Sequence, residues 1–463
     1  MQKKTIIFCV ALLAAGVLGI LYFSFVLQPK PANGAVAVAA TGKTYYVSPG
    51  GKNSNPGTKT KPWKTISYAA KKLKAGDTVL IRKGTYKERV LPQNSGTADK
   101  YITYKPYPGE KVTIDGASIT LPSDQHGLFE IVDKSYIKVS GLRIINAKGD
   151  DESNGIFVSR SAHVIIEKNY TYNTRSSGIG VWWDSQDITI SGNEVVRPNV
   201  GPMQEAISLS GADGFAIFNN KVHDSPAATD KEGITVKDGS RNGKIYKNVI
   251  YNIPAAGIYI DAWEKHTYNI KVYGNVVYNI SNSDGYQVAS EMGGLLENIN
   301  FNNNIGYGNK FRGLTVTNNG DEGGPHPMKD IIVANNTFYN NGGEWGGCIA
   351  MDNAEADGVR IRNNICSQNR SFEISVLSAA AQKTIVENNL IHEYKADTED
   401  NEVRGAGYVE GDPLFVNAAA ADFRLLAGSP AIDKGAAADA PPVDFAGKAR
   451  PAGAGFDVGA FEY

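Results

Sequence analysis

Short segments that alternate β-branched or aromatic residues with polar ones recur along most of this chain. IKVSGLRI (137–144), HVIIEKN (163–169), DITISGN (187–193), NIKVYGN (269–275) and DIIVANN (330–336) are examples, each interrupted by Gly or Asn. A period of two predicts β-strands with one face turned to a core. An asparagine returns after these segments at Asn169, Asn193, Asn220, Asn248, Asn275, Asn304, Asn336, Asn364 and Asn389, at intervals of 24 to 32 residues. A sustained period of that size predicts stacked coils that bury a continuous core. Asn tolerates the left-handed backbone of a sharp bend, so it is expected to make that bend itself. Stacked at one position in successive coils, it is also expected to form a hydrogen-bonded ladder. The predicted fold is all-β: a single-stranded right-handed parallel β-helix solenoid, with an N-terminal capping helix and an irregular C-terminal cap.

The coils are expected over 136–393. Residues 44–135 are read as an N-terminal cap and first coils, with an amphipathic helix around Ile66–Leu73 covering the open end against edge-to-edge association. After Tyr394 the period stops, and 394–463, rich in Pro, Gly and Ala, is read as a C-terminal capping module. Residues 1–40 begin with Lys3 and Lys4, continue in an apolar run over 5–27 and end in AVAVAA. This describes a secretory signal, although the run is also long enough for a retained membrane anchor. Either form predicts a secreted or extracellular protein whose contact with a membrane is limited to that segment.

The formal net charge of −1 over 463 residues gives no electrostatic reason to expect a nucleic-acid partner. A monomer is expected. Beyond Cys9 the cysteines are Cys348 and Cys366, in neighbouring coils. A free buried thiol is the expectation for each, with pairing the alternative.

One strand per coil aligns on a glycine or alanine: NGIFVSR, SGIGVWWD, EAISLSG, EGITVKD, AGIYIDAW, DGYQVASE and RGLTVTN. The apolar residue after it, and the one two further on, are expected inside; the intervening ones face outward. The outward set holds Trp182, Glu205, Glu232, Lys237, Tyr259, Asp261, Asp284, Gln287 and Arg312. Carboxylates and a lysine beside aromatic rings suit a carbohydrate groove, because sugar faces stack on rings while hydroxyls need polar partners. A solvated sheet face with incidental ion pairs is the plainer alternative. Lys265, His266, Glu291 and Glu297 are rim candidates, with Glu291 and Glu297 expected to hold a turn. Asp150, Asp151 and Glu152 are expected to form a solvated loop.

The motifs YYVSPGG (45–51), NPGT (55–58), KPWKTI (61–66), GDTV (76–79) and GTY (84–86), with GSPAID (428–433) and GAFE (459–462), resemble those of secreted bacterial β-helix proteins. That set includes pectate lyases, enzymes of the chondroitinase B and alginate lyase type, and some glycoside hydrolases. DKEGITVK (230–237) resembles their pattern of two acids followed by a lysine. The resemblance implies a lyase that cleaves a uronic-acid polysaccharide by β-elimination, with Asp230, Glu232 and Glu205 holding Ca2+ and Lys237 as the base. Tyr259 would protonate the leaving oxygen, while Trp182, Gln287, Arg312 and His266 contact substrate. This chain departs from the pattern where an arginine is expected on the next coil, which reads Asp261. An ion pair between Asp261 and Lys237 would raise the lysine pKa, against the base role. The same departure supports a glycoside hydrolase that draws an acidic pair from Glu205, Glu232 and Asp261. A non-catalytic glycan-binding solenoid is the third reading.

Overall fold

The computed structural model describes residues 42–226, 231–318, 324–395 and 401–463. The expected signal or anchor and Asp230 therefore lie outside the described residues. The fold is a parallel β-helix whose coils pass in turn through three sheets. Two sheets contain thirteen strands each and the third contains ten. The first runs from Thr44–Val47 to Thr384–Glu387, the second from Gly84–Tyr86 to Val409–Glu410, and the third from His126–Val132 to Phe372–Val376.

One coil shows why this sequence folds this way. Gln186–Ser191 lies in the first sheet, Glu194–Val196 in the second and Ile207–Ser210 in the third. Ile188, Ile190, Val195, Ile207 and Leu209 point inward and are buried, as period-two alternation requires. The inward residues of neighbouring coils stack on them, giving one core along the whole solenoid.

The asparagine ladder is present throughout. In each coil the amide oxygen accepts from the backbone N–H and the side-chain Nδ2 of the preceding ladder asparagine. At Asn248–Asn275 both bonds are 3.0 Å. Nδ2 also donates to a first-sheet carbonyl one coil back, as Asn275 does to Ile245 at 2.9 Å. The left-handed bend, however, belongs to the residue before each ladder asparagine. Lys168, Gly192, Asn219, Lys247, Gly274, Asn303, Asn335, Asn363 and Asn388 all have φ between 51° and 64°. The physical reason is a division of labour: the left-handed residue projects outward at the corner, leaving the next side chain to turn inward and make the ladder.

A second ladder runs through Asn309, Asn341 and Asn369 and ends on Glu373, at the turn from the second sheet to the third. Cys348 and Cys366 form a disulfide with Cα atoms 5.5 Å apart. This corrects the expectation of free thiols: a third-sheet strand and a second-sheet strand meet across the core and bring the two Cβ atoms within bonding reach.

The helix Ile66–Lys72 buries Ile66, Ala69 and Ala70 at the N-terminal end. It is capped by Thr65 and by Glu88, whose carboxylate accepts from the N–H groups of Ile66 and Ser67. The C-terminal segment lies back along the flank of the coils. The outward side chains of Asn303, Asn335, Asn363 and Asn388 donate to its carbonyls at Val443, Asp457, Ala436 and Lys434. A buried Arg450–Glu462 pair (2.7 Å) closes it on itself. The left-handed corner position thus also serves as the docking row for the tail.

The Asn275 amide is buried and engaged on both sides: Asn275→Ala removes an acceptor from two Asn248 donors and the donor to Ile245 O, Tyr273 O and Asn304 Oδ1. We expect a loss on the order of 3 kcal/mol, the scale of unsatisfied buried polar groups. Asn298→Gly, which removes an exposed link to Asn269 at a left-handed position that glycine tolerates, is expected to cost under about 1 kcal/mol. Paired thermal melts check the contrast.

Candidate functional site

The outward face of the third sheet carries three parallel rows of side chains. One row passes through Trp182, Ser210, Lys237, Asp261 and Ala289, and a second through Ser208, Thr235, Tyr259, Gln287 and Thr315. A third lies at the turn leading into the sheet and holds Asn154, Ser177, Glu205, Glu232, Ala256, Asp284 and Arg312. Its alignment is fixed by bonds such as Ala206 N–H to Glu232 O (3.0 Å) and Gly285 N–H to Arg312 O (2.8 Å). Neighbours in a row are roughly 4.7–4.9 Å apart. Residues distant in sequence are thereby assembled on one flank.

Lys237 reaches diagonally across the rows to Glu205. Its Nζ is 2.8 Å from Glu205 Oε1 and 3.3 Å from Gln204 Oε1, and lies 5.3 Å from the centre of the Trp182 ring. Glu205 also accepts from Ser208 Oγ. The expected Lys237–Asp261 pair is replaced by this one. Burial lowers the lysine's proton affinity, but the Glu205 charge and hydrogen bond outweigh it, and the net shift is upward. Burial likewise pushes the Glu205 carboxyl up; the Lys237 ammonium and the two hydrogen bonds reverse it, and the net shift is downward. Lysine and glutamate are a mutually stabilised charged pair.

The remaining acids lack such compensation. Burial and then the Glu205 charge push Glu232 up to about 7. Burial and then the Glu291 charge push Asp261 well above the ordinary carboxylate range. Asp261 Oδ1 is buried without a hydrogen-bond partner. A carboxyl near neutrality is poised to exchange a proton during a reaction.

Other predicted positions divide clearly. Tyr259 is buried and its hydroxyl donates to Glu291, so Glu291 belongs to the face rather than to a turn alone. Gln287 sits one coil from Tyr259 in the same row. Arg312 is committed to Asp284 (3.4 Å) and Asp352 (3.2 Å) and lies over Trp345 (4.9 Å). Burial pushes Asp284 up to about 6 despite the arginine. His266 turns to Glu297 (3.1 Å) and packs on Tyr268 at the edge of the first sheet, and Lys265 pairs with Asp238 (3.3 Å). Their position just past the corner directs them away from the carboxylate rows.

Glu152 corrects the solvated-loop expectation. Its carboxylate accepts from Gln204 Nε2 at 3.2 Å and from Gln125, and Gln125 in turn accepts from Asn154. Burial raises the Glu152 carboxyl despite the Gln204 bond. The coil alignment already placed Asn154 in the Glu205 row; that position was the available signal for Glu152, two residues before it. Trp183, Trp263 and Trp345 stand 42–46% exposed at the ends of third-sheet strands.

The excess of carboxylates over cations, and the unpartnered Asp261 oxygen, suit a hard cation. Ca2+ takes oxygens at about 2.3–2.6 Å, so ligands of one ion lie within about twice that distance of one another. Among the described residues no three carboxylates of this face come so close. The trio that does, Cys348, Cys366 and Glu373, has its sulfurs bonded to each other. The described part of the predicted set, Glu205 and Glu232, therefore does not make a closed cage.

Replacing Glu232 by Gln tests the electrostatics. A carboxyl raised to about 7 in the folded chain binds more protons there than in the unfolded one between about pH 4.3 and 7. Stability from this group is full below that window and is lost as pH rises through it. Glu232→Gln should raise the melting temperature at pH 8, by up to roughly 3 kcal/mol of stability, and leave it nearly unchanged at pH 4.

Residues 45–224 match the model described as a Pel9A-like right-handed β-helix region, and residues 180–325 that of a right-handed β-helix region. The uncharacterized protein YwoF of Bacillus subtilis (strain 168) is 28% identical over 473 residues, covering 91% of this chain and 98% of its own. Pectate lyase PEL9 of Emericella nidulans is 26% identical over 182 residues, which are 37% of this chain and 42% of that protein. Among solved structures, pectate lyase Pel9A shares the fold with a TM-score of 0.55 at 17% identity, over 91% of this chain and 97% of that one. XylC in complex with xylose does so with a TM-score of 0.60 at 13% identity, over 90% and 98%.

Proposed function

We propose that this chain, a right-handed β-helix that resembles polysaccharide lyases, cleaves a uronic-acid polysaccharide outside the cell by β-elimination. The observation that carries the reading is the partly buried Lys237 set among Glu205, Glu232 and Asp261 on one flank of the solenoid. The Pel9A-like match and the pectate lyase relative support it. The Cys348–Cys366 disulfide supports an extracytoplasmic location, where such bonds persist.

In this reaction Lys237 Nζ takes the proton from C5 of a uronate. The electron pair left behind forms the C4–C5 double bond, the C4–O bond breaks, and the leaving oxygen takes a proton from the Tyr259 hydroxyl. Lys237 is charged at rest because of Glu205, so its base form grows as pH rises or as the Glu205 charge is neutralised. Glu205 and Glu232 do not by themselves close a Ca2+ site; with oxygens of the uronate carboxylate they would hold Ca2+, whose charge would offset that carboxylate. The exposed tryptophans provide faces on which sugar rings stack.

Glu232 favours one alternative. A carboxyl at about 7, one coil from an ionised Glu205, is the arrangement a glycoside hydrolase needs for a general acid beside a base or nucleophile.

Incubation with polygalacturonate and alginate distinguishes the two. A lyase releases products with the ultraviolet absorbance of an unsaturated uronide, at a rate that climbs through pH 7 as Glu232 ionises and continues upward as Lys237 loses its proton. Chelation should abolish the activity and Ca2+ restore it. Lys237→Ala should cost at least about 100-fold in kcat while polymer binding persists. New reducing ends without absorbance, falling above pH 7 and abolished by Glu232→Gln, would establish the hydrolase instead.

A further inference from the structure

The turns from the second sheet to the third form a concavity of about 580 Å3 on the C-terminal half of the solenoid. It draws on five successive coils: Asn279–Ser281, Gly308–Lys310, Asn340–Gly343, Gln368–Arg370 and Lys395. At one coil per strand spacing it extends roughly 19 Å along the axis. These turns lead into the third-sheet strands, so the concavity borders the flank that carries Lys237, beginning about two coils beyond it.

Among the described residues its lining contains Lys310, Arg370 and Lys395 and no carboxylate. Lys310 meets Glu344 at 3.5 Å, but Glu344 is 90% exposed; Lys395 meets the exposed Glu393 at 3.1 Å. Such surface pairs contribute little and exchange readily for another anion. Arg370 makes no ion pair with a carboxylate among the described residues. Its planar fork suits two-point contact with a carboxylate. The floor is rigid, because Asn309, Asn341 and Asn369 spend their amides on one another and on Glu373. Gly308 adds no side chain there, and a Cβ at that position would meet nothing within 4 Å. Around the three cations, Asn340, Ser281 and Gln368 offer groups that both donate and accept, which is what sugar hydroxyls require.

We infer that this concavity is a second binding site, for a short run of anionic sugars. It holds a stretch of the same acidic polysaccharide beyond the reacting residue, and so rests on the proposed class of substrate. Holding the polymer at two places on one rigid body raises the effective concentration of the reacting stretch without a new contact at the reacting centre.

Binding separates this inference from the proposed reaction. Lys237→Ala protein, and the same protein with Arg370→Glu and Lys395→Glu, are run by native affinity electrophoresis through gels containing polygalacturonate or its fully methyl-esterified form. We expect the double reversal to weaken retardation by polygalacturonate at least fivefold, the effect to shrink as salt rises, and the esterified polymer to retard neither protein appreciably. Arg370→Gln, the milder change, should give a smaller loss in the same direction. In the otherwise unchanged enzyme the double reversal should raise KM on the polymer but not on a trisaccharide. Equal retardation of the two proteins, or equal retardation by the esterified polymer, overturns the site. Absence of unsaturated products with the charge-dependent retardation intact would overturn the lyase reading alone.

Discussion

Each coil is held to the next by a buried column of asparagine amides, and the placement of everything else depends on that column. Period-two alternation forbids a slip by one residue, which would turn the apolar face outward, but a slip by two keeps that face inside. The ladder removes that freedom. Each Asn oxygen accepts two donors from the coil before it, and a slip would leave these groups buried and unpaired. The loops between sheets can then vary in length, and the interval drifts between 24 and 32 residues without disturbing the core.

The outward chemistry follows from this rigidity. Glu205, Glu232, Asp284 and Arg312 belong to four different coils, yet they form one row because their coils are locked in phase. Alternation turns these side chains out of the core, yet Glu205, Asp261 and Asp284 are all under a tenth exposed. Desolvation then raises the proton affinity of Glu232 and Asp261, which lack a cation of their own, and of Asp284 despite Arg312. Glu205 has one in Lys237 and stays ionised, while Glu232 and Asp261 do not and are displaced toward the neutral acid. The asymmetry among chemically similar acids is a product of partner and burial, not of residue type.

The coil turns distribute roles by position. In the turn between the first two sheets, the left-handed residue faces outward and the following asparagine faces inward. In the later coils, where the outward residue is Asn303, Asn335, Asn363 or Asn388, the C-terminal segment docks on it. The turns between the second and third sheets carry their own amide ladder and, outside it, the cations of the concavity.

The sequence by itself determined the class of fold, the period, the ladder positions and the inward face of each strand, because a repeat with period-two alternation restricts the backbone locally and identically in every coil. It also placed Glu205, Glu232, Lys237, Tyr259 and Asp261 on a common face, since alignment of the repeats is enough to stack them. Tertiary structure decided which of these side chains meet. Lys237 chooses Glu205 over its row neighbour Asp261, Arg312 is held between Asp284 and Asp352, His266 turns to Glu297, and Glu152 folds in from a loop. Cys348 and Cys366 join for the same reason. These outcomes depend on side-chain direction, loop course and desolvation, which are set by the space between coils and have no counterpart in the pattern along a single one.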